Sequence, residues 1–300
     1  MKINLSIIGS SRIVEEHIKA ALEHNFSVKY IFSSNKKSKN VRKLAIKYKI
    51  KKIDNFKNFI ELSKKINSNY LIAGRIKDNH FYLQECLKTK KKILVEKPVF
   101  LKTKLFDKYI KFNKRIFVGY NRIFYKNLKV IDKILSKEKN ISINCLCPEV
   151  SKERIITNSA HIISILLFLN KDLKLIYKEK IGNIIFIRFK GKNKSRININ
   201  FHLKSLSNFK IEFVTENFFI EMCPIEYVRI FNKIKKVKKN NNNIYELKSV
   251  YEKNEYSISK IKPGFSMQMN YFKNFCRNKK VVNDLNFAKK IVSICELIKK

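Results

Sequence analysis

Ile3-Asn4-Leu5-Ser6-Ile7-Ile8-Gly9-Ser10-Ser11-Arg12-Ile13-Val14 is the stretch on which the fold turns. Its apolar β-type run, Ile3 to Ile8, stops at a glycine, and Ile13, His17, Ile18, Ala21 and Leu22 then recur at helical spacing. Strand, tight turn and helix make one unit, and the unit repeats. Val28 to Phe32 reads as a strand before a helix from Val41 to Tyr48, and a short strand near Ile53 precedes a helix from Phe56 to Lys65. Tyr70 to Ala73 and Lys92 to Val95 are two further strands, with a helix between them whose Leu83, Cys86 and Leu87 share a face. A helix from Lys102 to Lys114 and a strand from Ile116 to Val118 complete the series near Gly119. Alternation at this spacing implies an α/β domain, residues 1–119, with a doubly wound parallel sheet covered on both faces.

From Ile141 the texture changes. One strongly apolar helix, Ser159 to Leu169, is followed by alternating runs at Ile184–Phe189, Ile197–Leu203, Ile211–Val214, Phe218–Met222 and Tyr227–Phe231. No helix separates them, so residues 120–300 read as an α+β domain with a mainly antiparallel open sheet. Lys235 to Asn243, all Lys and Asn apart from Val237, reads as a hairpin tip or disordered loop. Helices at Gly264–Arg277 and Asp284–Lys300 end the chain, with room to pack back on the first domain. Asp284 is the expected N-cap of the second, and Phe287, Ile291, Ile294 and Ile298 its core stripe.

Composition narrows the function. The chain of 300 residues carries a formal charge of +42, which by itself points to a polyanion partner. Only ten of the 66 basic residues are Arg, however, and Lys is spread through nearly every segment together with Asn and Ile. Recognition surfaces favour the bidentate fork of Arg, so the charge reads as a compositional bias rather than a specific nucleic-acid site. Six dispersed cysteines in a chain of this size fit a reduced, cytoplasmic setting. Cys145 and Cys147 share a strand face, but no second pair at zinc spacing accompanies them, so no metal is expected. The longest apolar stretch, Ile162–Leu169 interrupted by Ser164, is too short to span a bilayer.

Several positions carry candidate chemistry. Gly9-Ser10-Ser11-Arg12-Ile13-Val14 retains only the first glycine of a GxGxxG loop, in which glycines let a pyrophosphate approach a helix N-terminus, so an ordinary strand-to-helix turn stands as an alternative. A left-handed backbone at Ser11 would cost about 1–2 kcal/mol. Further along, Ile93-Leu94-Val95-Glu96-Lys97-Pro98 ends an apolar strand on a charged pair and a proline, where open α/β sheets place ligands. Ala73 and His80 stand seven apart, and Val118-Gly119-Tyr120-Asn121-Arg122 follows the sixth strand.

Taken in this order, with Gln268, Phe272, Phe275 and Ala288 near the end, these motifs resemble the Gfo/Idh/MocA oxidoreductases, the relatives of glucose-fructose oxidoreductase and inositol dehydrogenase. The resemblance covers nearly the whole chain. It implies a Rossmann-like dinucleotide-binding domain and a substrate or oligomerisation domain, with homo-oligomers formed through the second sheet. It further implies that Lys97 lies beside the nicotinamide and touches the reacting hydroxyl, with the following proline bond cis. An ammonium there shares a proton with a developing alkoxide; the plain alternative is a solvated lysine at a strand end. The second catalytic residue implied is His161 in Thr157-Asn158-Ser159-Ala160-His161-Ile162-Ile163-Ser164, where both acids of the family pattern are missing. Asn158 or Thr157 would then have to orient it, and a core or capping histidine is the alternative. His80 falls near the nicotinamide half of the cofactor or caps its helix. Tyr120 and Arg122, with Asn158 and His161, are the expected substrate contacts, unless they merely pack the domain boundary.

The cofactor set so implied is Gly9, Ser10, Ser11, Arg12, Ile13, Ser33, Ser34, Lys36, Ala73, His80, Glu96 and Lys97. No acid occurs between Glu23 and Asp54, where a ribose-binding carboxylate would end the second strand, and Ser33-Ser34-Asn35-Lys36-Lys37 suits a 2′-phosphate. NADP(H) is therefore expected ahead of NAD(H). The expected activity is hydride transfer between nicotinamide and a carbinol or keto carbon of a sugar, sugar derivative or cyclitol. The alternative is a catalytically weakened relative that senses a nucleotide or sugar.

Overall fold

The computed structural model of the chain describes residues 2–192, 195–239, 242–279 and 281–299. It divides into two compact units, the first made of residues 1–124 and 264–296, the second of 125–263 and 297–300. The first unit thus runs slightly past the expected boundary at 119, and the helical segment near the C-terminus belongs to it rather than to the sheet-rich unit.

In the first unit β1 (Ile3–Ile8), β2 (Phe26–Phe32), β3 (Lys51–Ile53), β4 (Asn69–Ile72), β5 (Ile93–Glu96) and β6 (Ile116–Gly119) form one parallel sheet of order β3-β2-β1-β4-β5-β6. Leu5, Ile7, Leu71, Ile72, Leu94 and Val95 are fully buried, as they must be in a sheet with helices on both faces. The strand order reverses between β1 and β4, which opens a crevice beyond their carboxyl ends. Helices α1 (Ile13–Glu23), α2 (Lys39–Lys47), α3 (Phe56–Lys65) and α4 (Asn79–Lys88) make the connections. Side-chain oxygens of Ser38 and Asn55 cap α2 and α3 by accepting from Val41 N and Asn58 N. The helix expected over 102–114 is instead a single turn, α5 (Lys104–Asp107), followed by a 3-10 segment, Ile110–Arg115. Phe106 and Tyr109 both pack on Phe100, which draws the chain against the strand end instead of extending it as a regular helix.

The second unit contains α6 (Lys126–Leu135), α7 (Ala160–Asn170) and a sheet of eight strands. These are β7 (Ser142–Glu149), β8 (Lys174–Ile181), β9 (Ile184–Lys190), β10 (Arg196–Leu203), β11 (Lys210–Val214), β12 (Phe219–Met222), β13 (Tyr227–Lys239) and β14 (Asn242–Asn254). Their order is β14-β13-β12-β11-β7-β10-β9-β8, antiparallel throughout except for the parallel pair β7 and β10. Strict alternation in β7 buries Ile143, Cys145, Cys147 and Glu149 on one face. The segment read as a tip or loop over 235–243 is mostly strand: β13 reaches Lys239 and β14 resumes at Asn242, paired residue for residue, while 240 and 241 lie outside the described residues. Helices α8 (Phe265–Cys276) and α9 (Leu285–Lys299) follow, and Asp284 caps α9 by accepting from Phe287 N. Among the described residues no helix is long and apolar enough to cross a membrane, and no cluster of three His, Cys, Asp or Glu side chains could hold a metal ion.

Candidate active site

Gly9 ends β1 under close constraint. Its N–H donates to Phe32 O of β2 at 2.9 Å, and Ala73 N–H donates to Ile8 O at 2.7 Å from the other side. A Cβ built on Gly9 would lie 2.4 Å from Ala73 O, and φ is +149°, so only glycine fits where the two strands converge. Beyond it a pocket of about 430 Å³ opens, lined by Ile8, Gly9, Ser10, Ser33, Ser34, Asn35, Gly74, Arg75, Asp78 and Tyr82. It sits at the reversal of strand order, where open α/β sheets take up ligands. Polar groups dominate this lining, and glycine and serine at β1 leave room for a phosphate beside the N-terminal turn of α1. A dinucleotide fits this site on those grounds.

The loop between β1 and α1 does not carry the strain expected of it. Ser11 has no positive φ, so the left-handed penalty does not arise; its hydroxyl donates to Ala73 O at 3.3 Å. Arg12 has right-handed helical angles and, like Ser11, is exposed, while Ile13 begins α1 half-buried. Asn40 on α2 braces the loop, its Nδ2 donating to Ser10 O at 2.9 Å and Ser11 O at 3.2 Å. On the second loop Ser33 is buried, its Oγ accepting from Asn35 N, and Ser34 is exposed. Lys36 is exposed and is not part of the pocket lining.

Two charged residues of this pocket escaped the sequence reading. Arg75 Nε donates to Asp78 Oδ2 at 2.9 Å on the loop after β4. Asp78 is thereby engaged, while Arg75 presents a mostly exposed guanidinium at the rim. Only the spacing of Ala73 and His80 hinted at that loop, and nothing in the sequence ranked one of its charges above the surrounding lysines.

His80 stands elsewhere. Its Nδ1 lies 2.6 Å from the Tyr109 hydroxyl, and it lines a separate pocket with Gln84, Lys88, Lys108, Lys111 and Phe112 rather than the one floored by Gly9. Burial pushes the Tyr109 phenol up to about 12, so it remains a neutral donor. The neighbouring Asn79 is buried and donates through Nδ2 to Val99 O at 3.0 Å, which fixes the backbone just after the Lys97-Pro98 step.

Glu96 ends β5 and is clamped from two sides. His17 on α1, itself fully buried, donates from Nε2 to Glu96 Oε1 at 2.7 Å, with its ring edge-on to Phe265. Gly119 on β6 gives the carboxylate room, since a Cβ there would meet Oε1 at 2.8 Å. Lys97 follows half-buried, and the Lys97–Pro98 bond is cis. In the sequence His17 looked like one more residue of a helical core stripe; its partner lies on another strand and is legible only in three dimensions.

Tyr120 does not suit the substrate role expected of it. Its side chain is fully buried, packed edge-on against Phe287, and its hydroxyl has no hydrogen-bond partner among the described residues. Burial pushes this phenol well above its ordinary range. The residue is core. Arg122 is half-buried in a 3-10 turn, Asn121–Phe124.

The second unit holds His161 and Asn158. His161 is the second residue of α7 and 7% exposed; its N–H donates to Asn158 O at 3.1 Å. Asn158 is half-buried and its Nδ2 donates to Glu149 Oε2 at 3.2 Å. Glu149 Oε1 also accepts from Ser159 N at 2.9 Å and from the Ser159 hydroxyl.

Comparison with known proteins agrees with this description. Residues 3–120 match the model of the Gfo/Idh/MocA oxidoreductase family, NAD-binding Rossmann fold. Among curated proteins none matches the chain in sequence. Solved structures share the fold over its full length. A dehydrogenase from Clostridium difficile is 18% identical, with a TM-score of 0.74 and 99% of each chain covered. A myo-inositol dehydrogenase, so described provisionally, from Sinorhizobium meliloti is 11% identical, with a TM-score of 0.69 over 98% of this chain and 95% of that one. An oxidoreductase from Agrobacterium radiobacter, solved with NAD+, L-tartaric acid and magnesium, is 9% identical, with a TM-score of 0.73 over 99% and 95%. With its strand order, its glycine-floored crevice and the matching residues 3–120, the first unit has the NAD-binding Rossmann fold described by the Gfo/Idh/MocA oxidoreductase model.

Proposed function

We propose that the protein is a nicotinamide-dependent dehydrogenase or reductase of a sugar, sugar derivative or cyclitol, and that it prefers NADP(H) to NAD(H). The observation that carries this reading is the polar pocket at the β1/β4 reversal, floored by Gly9. Its preference rests on the loop after β2, which offers Ser33 and Ser34 and no carboxylate, and on Arg75 at the rim. A guanidinium suits a 2′-phosphate through its paired N–H groups. Asp78 lines the same pocket, but its carboxylate is engaged by Arg75.

When bound, the nicotinamide supplies the hydride acceptor or donor at its C4. In the oxidative direction the substrate loses a C–H hydride and an O–H proton, and the chain has to take the proton. Lys97 and His161 are the residues assigned to that task. Glu96, held by His17 and accommodated by Gly119, fixes the end of β5 from which Lys97 leaves. Arg122 and Asn158 are assigned to substrate polar groups, and Ser10, Ser11 and Arg12 to the pyrophosphate. A polyol class of substrate is in keeping with the inositol description and the tartaric acid of the two structural relatives. The weakened-relative reading rests on the degraded glycine loop and on the missing acids around His161. Ser11 has no positive φ, and a buried carboxylate does approach the His161 turn, from β7.

Exposed apolar side chains on the second sheet, Ile176, Ile181 and Phe186 on β8 and β9 with Tyr245 and Leu247 on β14, support a homo-oligomer through that sheet. Free thiols at Cys86, Cys145, Cys223 and Cys276 support a reducing, cytoplasmic location.

Fluorescence titration with NADPH and NADH tests the proposal. Tighter binding of NADPH is expected, and loss of that preference in Arg75→Ala. Turnover on a panel of polyols and keto-sugars should fall about 100-fold or more in Lys97→Ala, with NADPH still bound. No response to either dinucleotide would end the reading.

A further inference from the structure

We propose that Glu149 is a positioning residue for His161, supplying from a neighbouring strand the carboxylate that residues 157–164 lack. This rests on the reading of His161 as the proton-handling residue of the second unit.

Three observations carry it. Glu149 is the last residue of β7 and only 3% exposed, in register opposite Leu203 of β10, and Lys204 N–H donates to its carbonyl. A buried carboxylate is costly unless its oxygens are satisfied, and among the described residues its partners lie on the Asn158–Ser159 step, two residues before His161. Oε1 takes the Ser159 N–H and hydroxyl, and Oε2 takes the Asn158 amide. Asn158 in turn accepts the His161 N–H through its carbonyl, so the carboxylate, the Asn158–Ser159 step and the histidine form one hydrogen-bonded series.

The placement has an electrostatic consequence. His161 occupies the first turn of α7, where the aligned peptide dipoles make the potential positive and disfavour an imidazolium. A carboxylate bound to the same turn offsets that field and favours the protonated ring. Other charged or titratable groups on the adjoining elements are Lys152, Glu153 and Arg154 on the 3-10 segment Lys152–Ile156, half-buried His202 on β10, which pairs with Pro148, and Lys204 after β10. Glu153, Arg154 and Lys204 are exposed and Lys152 half-exposed, so solvent screens them more than it screens Glu149.

The test is an NMR titration of the full chain labelled with 13C at histidine Cε1, with the His161 signal assigned by its loss in His161→Asn. In Glu149→Gln, which keeps the shape and removes the charge, the His161 midpoint is expected to fall by about half a unit or more. The signals of His17 and His80, in the other unit, should stay in place. An unmoved His161 midpoint in a folded Glu149→Gln protein would reduce Glu149 to a helix cap and overturn the proposal. If that variant does not fold, Glu149→Asp serves, with a smaller shift in the same direction expected and an unmoved midpoint again decisive against it. The titration needs no substrate, so failure of the proton-handling role of His161 shows separately, as undiminished NADPH-dependent turnover in His161→Asn, and failure of the oxidoreductase reading as no response to either dinucleotide.

Discussion

Replacing Gly9 by alanine should damage the first unit far more than the same change at Gly74, although both glycines line one pocket. At Gly9 the new Cβ would fall 2.4 Å from Ala73 O, 2.7 Å from Ala73 C and 3.3 Å from Ala73 Cα. These are main-chain atoms of a residue bound to Ile8 at 2.7 Å, so no side chain can swing aside and the ends of β1 and β4 must part. Forcing a methyl into such a contact costs about 1–3 kcal/mol, and an alanine at φ of +149° adds strain of about 1–3 kcal/mol. The combined loss of about 2–6 kcal/mol corresponds to a fall in Tm of about 4–24 °C at roughly 2–4 °C per kcal/mol for a domain of this size. At Gly74 the nearest neighbour is the Tyr82 ring at 3.5 Å, an ordinary contact, and the change should stay within about 0.5 kcal/mol. Urea unfolding of both variants, followed by circular dichroism, gives the comparison directly. A Gly9→Ala protein within 1 kcal/mol of Gly74→Ala would refute the account of the strand junction, the estimate being about 2 kcal/mol at least.

Other outcomes follow from single contacts. Tyr120→Phe removes a buried hydroxyl without a partner, so thermal unfolding should show a gain of about 1 kcal/mol or no change; a clear loss would mean the hydroxyl is bonded after all. His17→Ala strips Glu96 of its donor and should cost about 2–3 kcal/mol in urea, with His17→Gln recovering part of it. Glu255, buried at the start of α6 where it accepts Asn127 N–H at 2.7 Å, has its carboxyl raised above the ordinary range by burial. For an acid raised in the folded state, the associated stability is fully present below the unfolded pKa and is lost as pH climbs through the folded value. Glu255→Gln should therefore gain in Tm relative to the parent between pH 4 and pH 7, a trend flat across this range being the contrary result.

How much of this was visible in the sequence depended on whether the deciding contacts were local. The strand ending at Gly9 and the one ending at Glu96 were legible, because a two-sided buried strand writes an unbroken apolar run and a loop residue stops it. Strand β8 was not: its burial alternates weakly and Lys174, Lys178 and Lys180 blur the period. Helix α6 was passed over, since Leu128, Ile131 and Leu135 sit among lysines without a side-chain cap. The segment 102–114 carries helical spacing, yet contacts of Phe106 and Tyr109 with Phe100 override it. Of the site, Ser33, Ser34 and Lys97 were readable from their place at strand ends. Arg75, His17 and Glu149 were not, because each gains its significance from a partner or pocket assembled by folding. The glycine fingerprint misled at Ser11 by assuming a left-handed backbone that the chain does not adopt.

The interrupted composition of the first unit also sets an order of manufacture. Phe272 stacks on Phe26 and meets Phe117, and Val118 gives its N–H to the carbonyl of Asn283. A ribosome delivers those partners only after the whole intervening sheet has emerged. The nascent N-terminal segment must therefore wait with aromatic surface uncovered, which makes it a natural client for chaperones until the returning helices arrive.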